Sequence, residues 1–229
     1  GRLIRVLRPP IGPGRAGRVS AVAISPDGDI VVAAVQGLAD GNDDHAIFVF
    51  DRRSGQLLRR LAGLGHPTYH LAFSLDGRWL AGAAGDGARI WDWRDGRLAL
   101  SDASFLDNSF GAHWSRDGRL AVTSVDGKVR LYVQDSGATP ARFVRSVEAA
   151  LAMHSPVSVA FHPDASVIAV GSARPEVLVI DGQTMAPRFG VNSEGTNGAM
   201  ANVAWSSDGR TLAAGGLARR ADDGRAVVR

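Results

Sequence analysis

The sequence predicts an all-β protein built from repeated four-stranded antiparallel sheets stacked side by side. Three observations predict it. A four-residue turn recurs five times, as SPDG at 25–28, SLDG at 74–77, SRDG at 115–118, HPDA at 162–165 and SSDG at 206–209. Its Asp falls at 27, 76, 117, 164 and 208, giving spacings of 49, 41, 47 and 44 residues, a period that belongs to repeat architectures. Apolar and polar residues alternate around each turn with the period of two expected of strands, and no stretch sustains a helical period.

The elements follow in order. A first strand precedes each turn, at 19–25, 69–74, 110–115, 157–162 and 201–206. A second follows it, at 29–35, 78–84, 119–125, 166–172 and 210–216. A third comes after a loop, at 46–51, 88–93, 128–133 and 176–181, and a fourth after a Gly-containing turn, at 55–63 and 96–102. The turn has its own chemistry. Pro presets φ, Asp hydrogen-bonds its own backbone, and Gly accepts positive φ. Sheets of this size cannot bury both faces alone; stacked radially they cover one another and leave short edges, which is a β-propeller. Ala21, Ala23, Ala72, Ala112, Ala160 and Ala204 suit a crowded axis. Their neighbours Val22, Ile24, Leu71, Phe73, Trp114, Phe161 and Trp205 suit the space between blades.

These residues resemble the WD-repeat β-propeller family over nearly the whole chain. Repeat two has Gly65-His66, the turn Asp86-Gly87 and Trp91-Asp92 closing its third strand. Repeat three reads TSVDGKVRLY at 123–132 with Tyr132 in place of Trp, and the closing pair becomes Phe50-Asp51 in repeat one and Ile180-Asp181 in repeat four. Only repeat two carries the His of the family's Ser/Thr-His-Asp-Trp network. The resemblance extends to propeller regions appended to bacterial signalling enzymes.

The whole chain, 1–229, is expected to be one propeller domain or a part of one. Residues 1–9 align with the fourth strand at 55–63, and 221–229 align with the third strand at 42–50. Two arrangements fit: a five-bladed ring closed by pairing 2–8 with 225–229, or an arc of a larger, for example seven-bladed, ring whose unpaired edges would pair with another chain or with missing repeats.

Composition narrows the function. The chain has 28 Gly and 10 Pro, as many tight turns require, and no Cys, so neither a disulfide framework nor a Cys-based metal site is available. Apolar runs such as 30–35 are far shorter than the roughly 18 residues of a membrane span, and the N-terminal sequence has no signal-peptide core, so a cytoplasmic protein with no membrane partner is expected. Net charge is +3 while the pI is about 10.1, because 25 Arg stand against the single Lys128. That balance resembles GC-rich bacterial coding, and no nucleic-acid partner is expected from it. No GxSxG elbow or phosphate loop is present. The acidic segment 40–45 lacks the spacing of a Ca²⁺ loop, and six scattered His offer no metal set, so no cofactor and no catalytic residue are expected.

The resemblance implies a protein-binding scaffold that holds a protein or peptide on loops at the starts of the first strands. Arg18, His66, Tyr69, Asn108, Phe110 and His154 stand there, and Tyr, Phe, Arg and His are common binding anchors. Tyr69 and Phe110, each five residues before its turn-opening Ser, are expected at the same height on adjacent blades. Competing readings are a metal-dependent, lactonase-like propeller enzyme and a nucleic-acid-binding propeller.

Overall fold

In a computed structural model, which describes residues 2–9, 17–37, 45–192, 196–197, 199, 201–220 and 226–228, the five repeats become five four-stranded sheets. Blade 1 is β1 (Arg18–Ile24), β2 (Ile30–Gln36), β3 (His45–Asp51) and β4 (Leu57–Leu64). Blade 2 is β5 (Thr68–Phe73), β6 (Trp79–Ala84), β7 (Gly87–Asp92) and β8 (Arg97–Asp102). Blade 3 is β9 (Gly111–Trp114), β10 (Leu120–Ser124), β11 (Lys128–Gln134) and β12 (Phe143–Ala150). Blade 4 is β13 (Pro156–Phe161), β14 (Val167–Ser172), β15 (Glu176–Asp181) and β16 (Pro187–Asn192). Blade 5 is β17 (Thr196–Asn197), β18 (Asn202–Trp205), β19 (Leu212–Arg220) and β20 (Ala226–Val228). Strands in the first four blades pair antiparallel in chain order. In blade 5, β19 lies between β20 on one side and β18 with β17 on the other. No helix occurs among the described residues, and none is long and apolar enough to cross a membrane.

The recurring turn is built as its residues require. Ser25, Ser74 and Ser206 each donate a hydroxyl proton to the Asp two residues on, at 2.5, 2.5 and 2.6 Å, and Ser115 does the same to Asp117. His162 replaces the Ser in blade 4, with Nδ1 at 2.6 Å from Asp164. The closing glycines Gly28, Gly77, Gly118 and Gly209 have φ between +68° and +82°, and Ala165 adopts +63° in their stead. The motif thus closes a tight loop whose carboxylate also caps backbone amides, those of Asp29, Arg78, Ser166 and Arg210.

Second strands read as continuous apolar runs because both their faces are covered. Every residue of β6 (WLAGAA) and of β10 (LAVTS) is buried. One cluster of apolar side chains fills each junction. Ile47 and Val49 meet Leu71 and Phe73 between blades 1 and 2, and Ile90 meets Trp114 and Leu120 between blades 2 and 3. Leu131 meets Val159 and Phe161 between blades 3 and 4, and Val177 meets Val203 and Leu212 between blades 4 and 5. Two junctions add the same hydrogen bond: the Trp114 indole donates to the Ala72 carbonyl at 3.1 Å, and the Trp205 indole to that of Ala160 at 3.2 Å.

The fourth strands that the sequence implied in repeats three and four without locating them are β12 and β16. They are outermost, and the exposed pattern of β12 carries little apolar signal. Ala112 lines one of the spaces enclosed by the first strands and Ala160 and Ala204 another, while Ala72 and Ala112 also pack into the junction between blades 2 and 3. Val22 and Ile24, expected between blades, are exposed, because among the described residues no blade covers that side of β1. Among those residues, 2–9 form no strand and β20 pairs with β19 alone, so no pairing of the two ends is present. The acidic segment 40–44 lies outside the described residues.

Candidate functional site

The first strands sit at the inner edge of every blade and touch one another in succession, β1 to β5 to β9 to β13 to β18. Their inner surfaces surround two cavities of about 520 Å³ each, which share His113 and Val203. Tyr69, Phe110, Val157 and Ala201 line one of them, each five residues before its turn-opening residue. The repeat therefore sets four side chains at one height around the cavity.

Two of the four are aromatic, and they meet. The rings of Tyr69 and Phe110 are 4.8 Å apart at 39° and remain half-buried. Such tilted pairs gain from ring electrostatics as well as buried area. Beside them, Gly85 draws two further predicted residues together. A methyl group at position 85 would come within 3.3 Å of both the His66 Cβ and the Asn108 Oδ1. Backbone bonds hold this ledge: Gly85 donates to the Pro67 carbonyl, Ser109 to that of Ala84, and Val125 to that of Asn108. Asp86 at the ledge has its carboxyl below the ordinary range, chiefly through its hydrogen bonds from Arg89, which it meets at 2.6 and 2.7 Å.

His66, Tyr69, Asn108 and Phe110 thus group across blades 2 and 3. Arg18 is exposed at the start of β1, and His154 is exposed before β13 with its backbone amide donating to Glu176 at 2.9 Å; neither lines the cavity.

The cavity also holds two histidines that sequence reasoning left as scaffold. Burial and the charge of His70 lower the basicity of the His113 imidazole. The Phe161 amide donates to His113 Nδ1 at 3.3 Å, which leaves Nε2 as the proton-bearing nitrogen of the neutral ring. A signal for His113 was present in the repeat alignment: it stands where the other first strands carry Ala23, Ala72, Ala160 and Ala204. Among the described residues, no three His, Asp or Glu side chains come together as a metal site would require. The site offers an aromatic platform, apolar walls and a few hydrogen-bonding groups, the composition of a recognition site.

Comparison with known proteins agrees with this architecture. The family model described as WD domain, G-beta repeat (WD40), matches residues 1–51 and 55–92. Over these residues the chain is similar to WD-repeat β-propellers. The second matched unit starts on the outer strand β4 and ends on the third strand of blade 2; by alignment, residues 1–9 take the place in the first unit that 55–63 take in the second. The small ribosomal subunit protein RACK1y of rice is 30% identical over 128 residues, covering 52% of this propeller and 35% of that protein. WD repeat-containing protein 1 of Xenopus tropicalis is 28% identical over 134 residues, covering 56% of this chain and 21% of the other. The chain spans about a third of the length of the rice relative it matches. Among solved structures, a chain of the mitotic checkpoint complex superposes with a TM-score of 0.69 at 20% identity, over 94% of this propeller and 64% of that chain.

Proposed function

We propose that this propeller is a non-enzymatic protein-interaction module that holds a peptide segment of a partner over the Tyr69–Phe110 platform. The half-open aromatic pair carries the reading. Two rings 4.8 Å apart at the mouth of an apolar cavity form a rigid anchor site, and His66 and Asn108 beside them supply hydrogen bonds to a backbone. Similarity to RACK1y and to WD repeat-containing protein 1 supports a scaffold role, and the Arg-over-Lys composition supports a bacterial origin.

Selection of a random peptide library on the purified chain tests it. Selected peptides should lose affinity about 30-fold on Tyr69→Ala or Phe110→Ala, equivalent to an anchor of about 2 kcal/mol. Melting temperatures should stay close to wild type, because both rings are half exposed. Peptides that bind both variants as well as wild type place the site elsewhere. Equal loss of binding and of melting temperature makes the rings core residues.

A further inference from the structure

The two cavities are lined by basic groups without acidic ones. Among the described residues, their lining includes His70, His113, His162 and Arg116 and no Asp or Glu. In a chain with 23 acidic residues against 26 Lys and Arg, such a lining selects an anion. Asp164 lies outside the lining and engages His162, with Nδ1 at 2.6 Å, while Arg116 is exposed beside the second cavity. Tyr69 and His70 are the titratable groups that β5 adds, and β18 adds none, contributing Asn202 and apolar neighbours.

A second, independent observation is the state of His113, which lines both cavities. The ring is held in place: the Phe161 amide donates to Nδ1, so the proton of the neutral imidazole sits on Nε2. No acceptor among the described residues meets that proton, and a donor without a partner inside a cavity is left for a ligand. Its depth matters as well. His113 lies three residues beyond Phe110, which at about 3.3 Å per residue puts it about 10 Å below the aromatic pair. A Glu carboxylate stands only three carbon–carbon bonds of about 1.5 Å from its own Cα, so an acidic side chain on a segment lying across the rings falls short. An extended chain end entering the cavity covers the distance in about three residues.

We infer that the cavity beneath Tyr69 and Phe110 receives the free C-terminus of a partner, whose carboxylate accepts the His113 Nε2 proton. The inference rests on the reading of the aromatic pair as the platform that holds the residues behind that end. An ionised carboxylate only accepts hydrogen bonds, and the Asn202 amide and the His70 ring, both exposed, supply further donors in the same cavity. Burial and the charge of His70 keep His113 less basic than usual in the empty cavity. A carboxylate beside it favours the charged ring, so binding takes up a proton and tightens as pH falls.

Random synthetic peptides, made with a free carboxylate end and again with a carboxamide end, test the assignment on the purified chain. Peptides selected with free ends should weaken about 10-fold when amidated, and about 10-fold on His113→Ala, which installs the residue that the other four first strands carry at that place. The two changes together should cost no more than either alone, because they remove the same contact. Affinity of the free-ended peptides should rise from pH 7.5 to pH 5.5, and either change should flatten most of that rise. Tyr69→Ala reports on the platform separately, by weakening both peptide forms. Peptides that need Tyr69 but bind equally well when amidated overturn this inference and leave the platform standing. Peptides that need their carboxylate and His113 but ignore Tyr69→Ala remove the platform and keep the carboxylate seat. Amidated peptides whose internal Asp or Glu preserves the dependence on His113 make a side chain the occupant and overturn the inference. Capture of no peptide at all sinks both readings.

Discussion

Replacing Arg130 by Ala should remove most of the stability of blade 3. The guanidinium is 1% exposed; it meets Asp126 with Nη2 at 2.7 Å and Nη1 at 3.4 Å, and Glu148 with Nε at 3.0 Å. It also lies 3.8 Å from the centre of the Phe105 ring. Its two carboxylate partners fare differently once it is gone. Glu148 is partly open to water and keeps Lys128 and Arg145, each at 2.6 Å. The Asp126 side chain is only 3% exposed and keeps the backbone amide of Lys128 at 3.1 Å and the Ser124 hydroxyl. The cost therefore falls on Asp126, and a buried charge stripped of its partner costs about 3–5 kcal/mol. Burial pushes the Asp126 carboxyl up, but the hydrogen bonds and charge of Arg130 outweigh it and hold the group below its ordinary value. Without Arg130 the burial effect wins and the folded-state pKa rises above the unfolded one. The penalty is then complete above the raised value and shrinks as pH falls toward the unfolded value of about 3.9. Urea unfolding followed by tryptophan fluorescence should show a deficit of about 3–5 kcal/mol at pH 7.5 and a smaller one at pH 5. Arg130→Met combined with Asp126→Asn should recover most of it, since the pair's removal orphans no charge. A deficit under about 1 kcal/mol for Arg130→Ala, or no recovery in the double variant, refutes the reasoning.

Other expectations are simpler. Gly118 has φ +82° with open space where a Cβ would point, so Gly118→Ala should cost about 1 kcal/mol from backbone strain alone. Gly65→Ala, equally unobstructed and without positive φ, should stay within about 0.5 kcal/mol in the same melts. Trp114→Phe removes the bond to the Ala72 carbonyl across a junction and should cost about 1 kcal/mol in urea unfolding; an unchanged midpoint would make that bond idle. The Asp164 carboxyl is held at about 2 by the Ser166 hydroxyl and amide and by His162. Depressed in the fold, it contributes stability that is complete above its unfolded value and lost as pH falls through 2. Asp164→Asn should therefore flatten the fall in melting temperature between about pH 4 and pH 2. His113, also depressed, contributes stability present above the unfolded value of about 6.5 and lost below it. The His113→Gln variant should reduce the drop in melting temperature on going from pH 7 to pH 5.

The amino-acid sequence by itself determined what depends on near neighbours along the chain. Ser25, Asp27 and Gly28 make the same turn as Ser206, Asp208 and Gly209, because the hydrogen bonds involved span two to five residues and need no distant partner. The first three strands of the first four blades, and the first two of blade 5, were legible for the same reason, and with them the all-β repeat. The common height of Tyr69 and Phe110 followed from counting back to Ser74 and Ser115. Only the tertiary structure decided the rest. Val22 and Leu71 hold the same place in their repeats, yet one is exposed and the other buried, because burial belongs to the blade next door. β12 and β16 were implied but not located, because an outer strand faces water and its alternation fades. The docking of Arg5 on Ser54, and the meeting of His70, His113, Val157 and Ala201 around one cavity, join residues 43 to 131 positions apart; blade packing brings them together, and no local pattern encodes it.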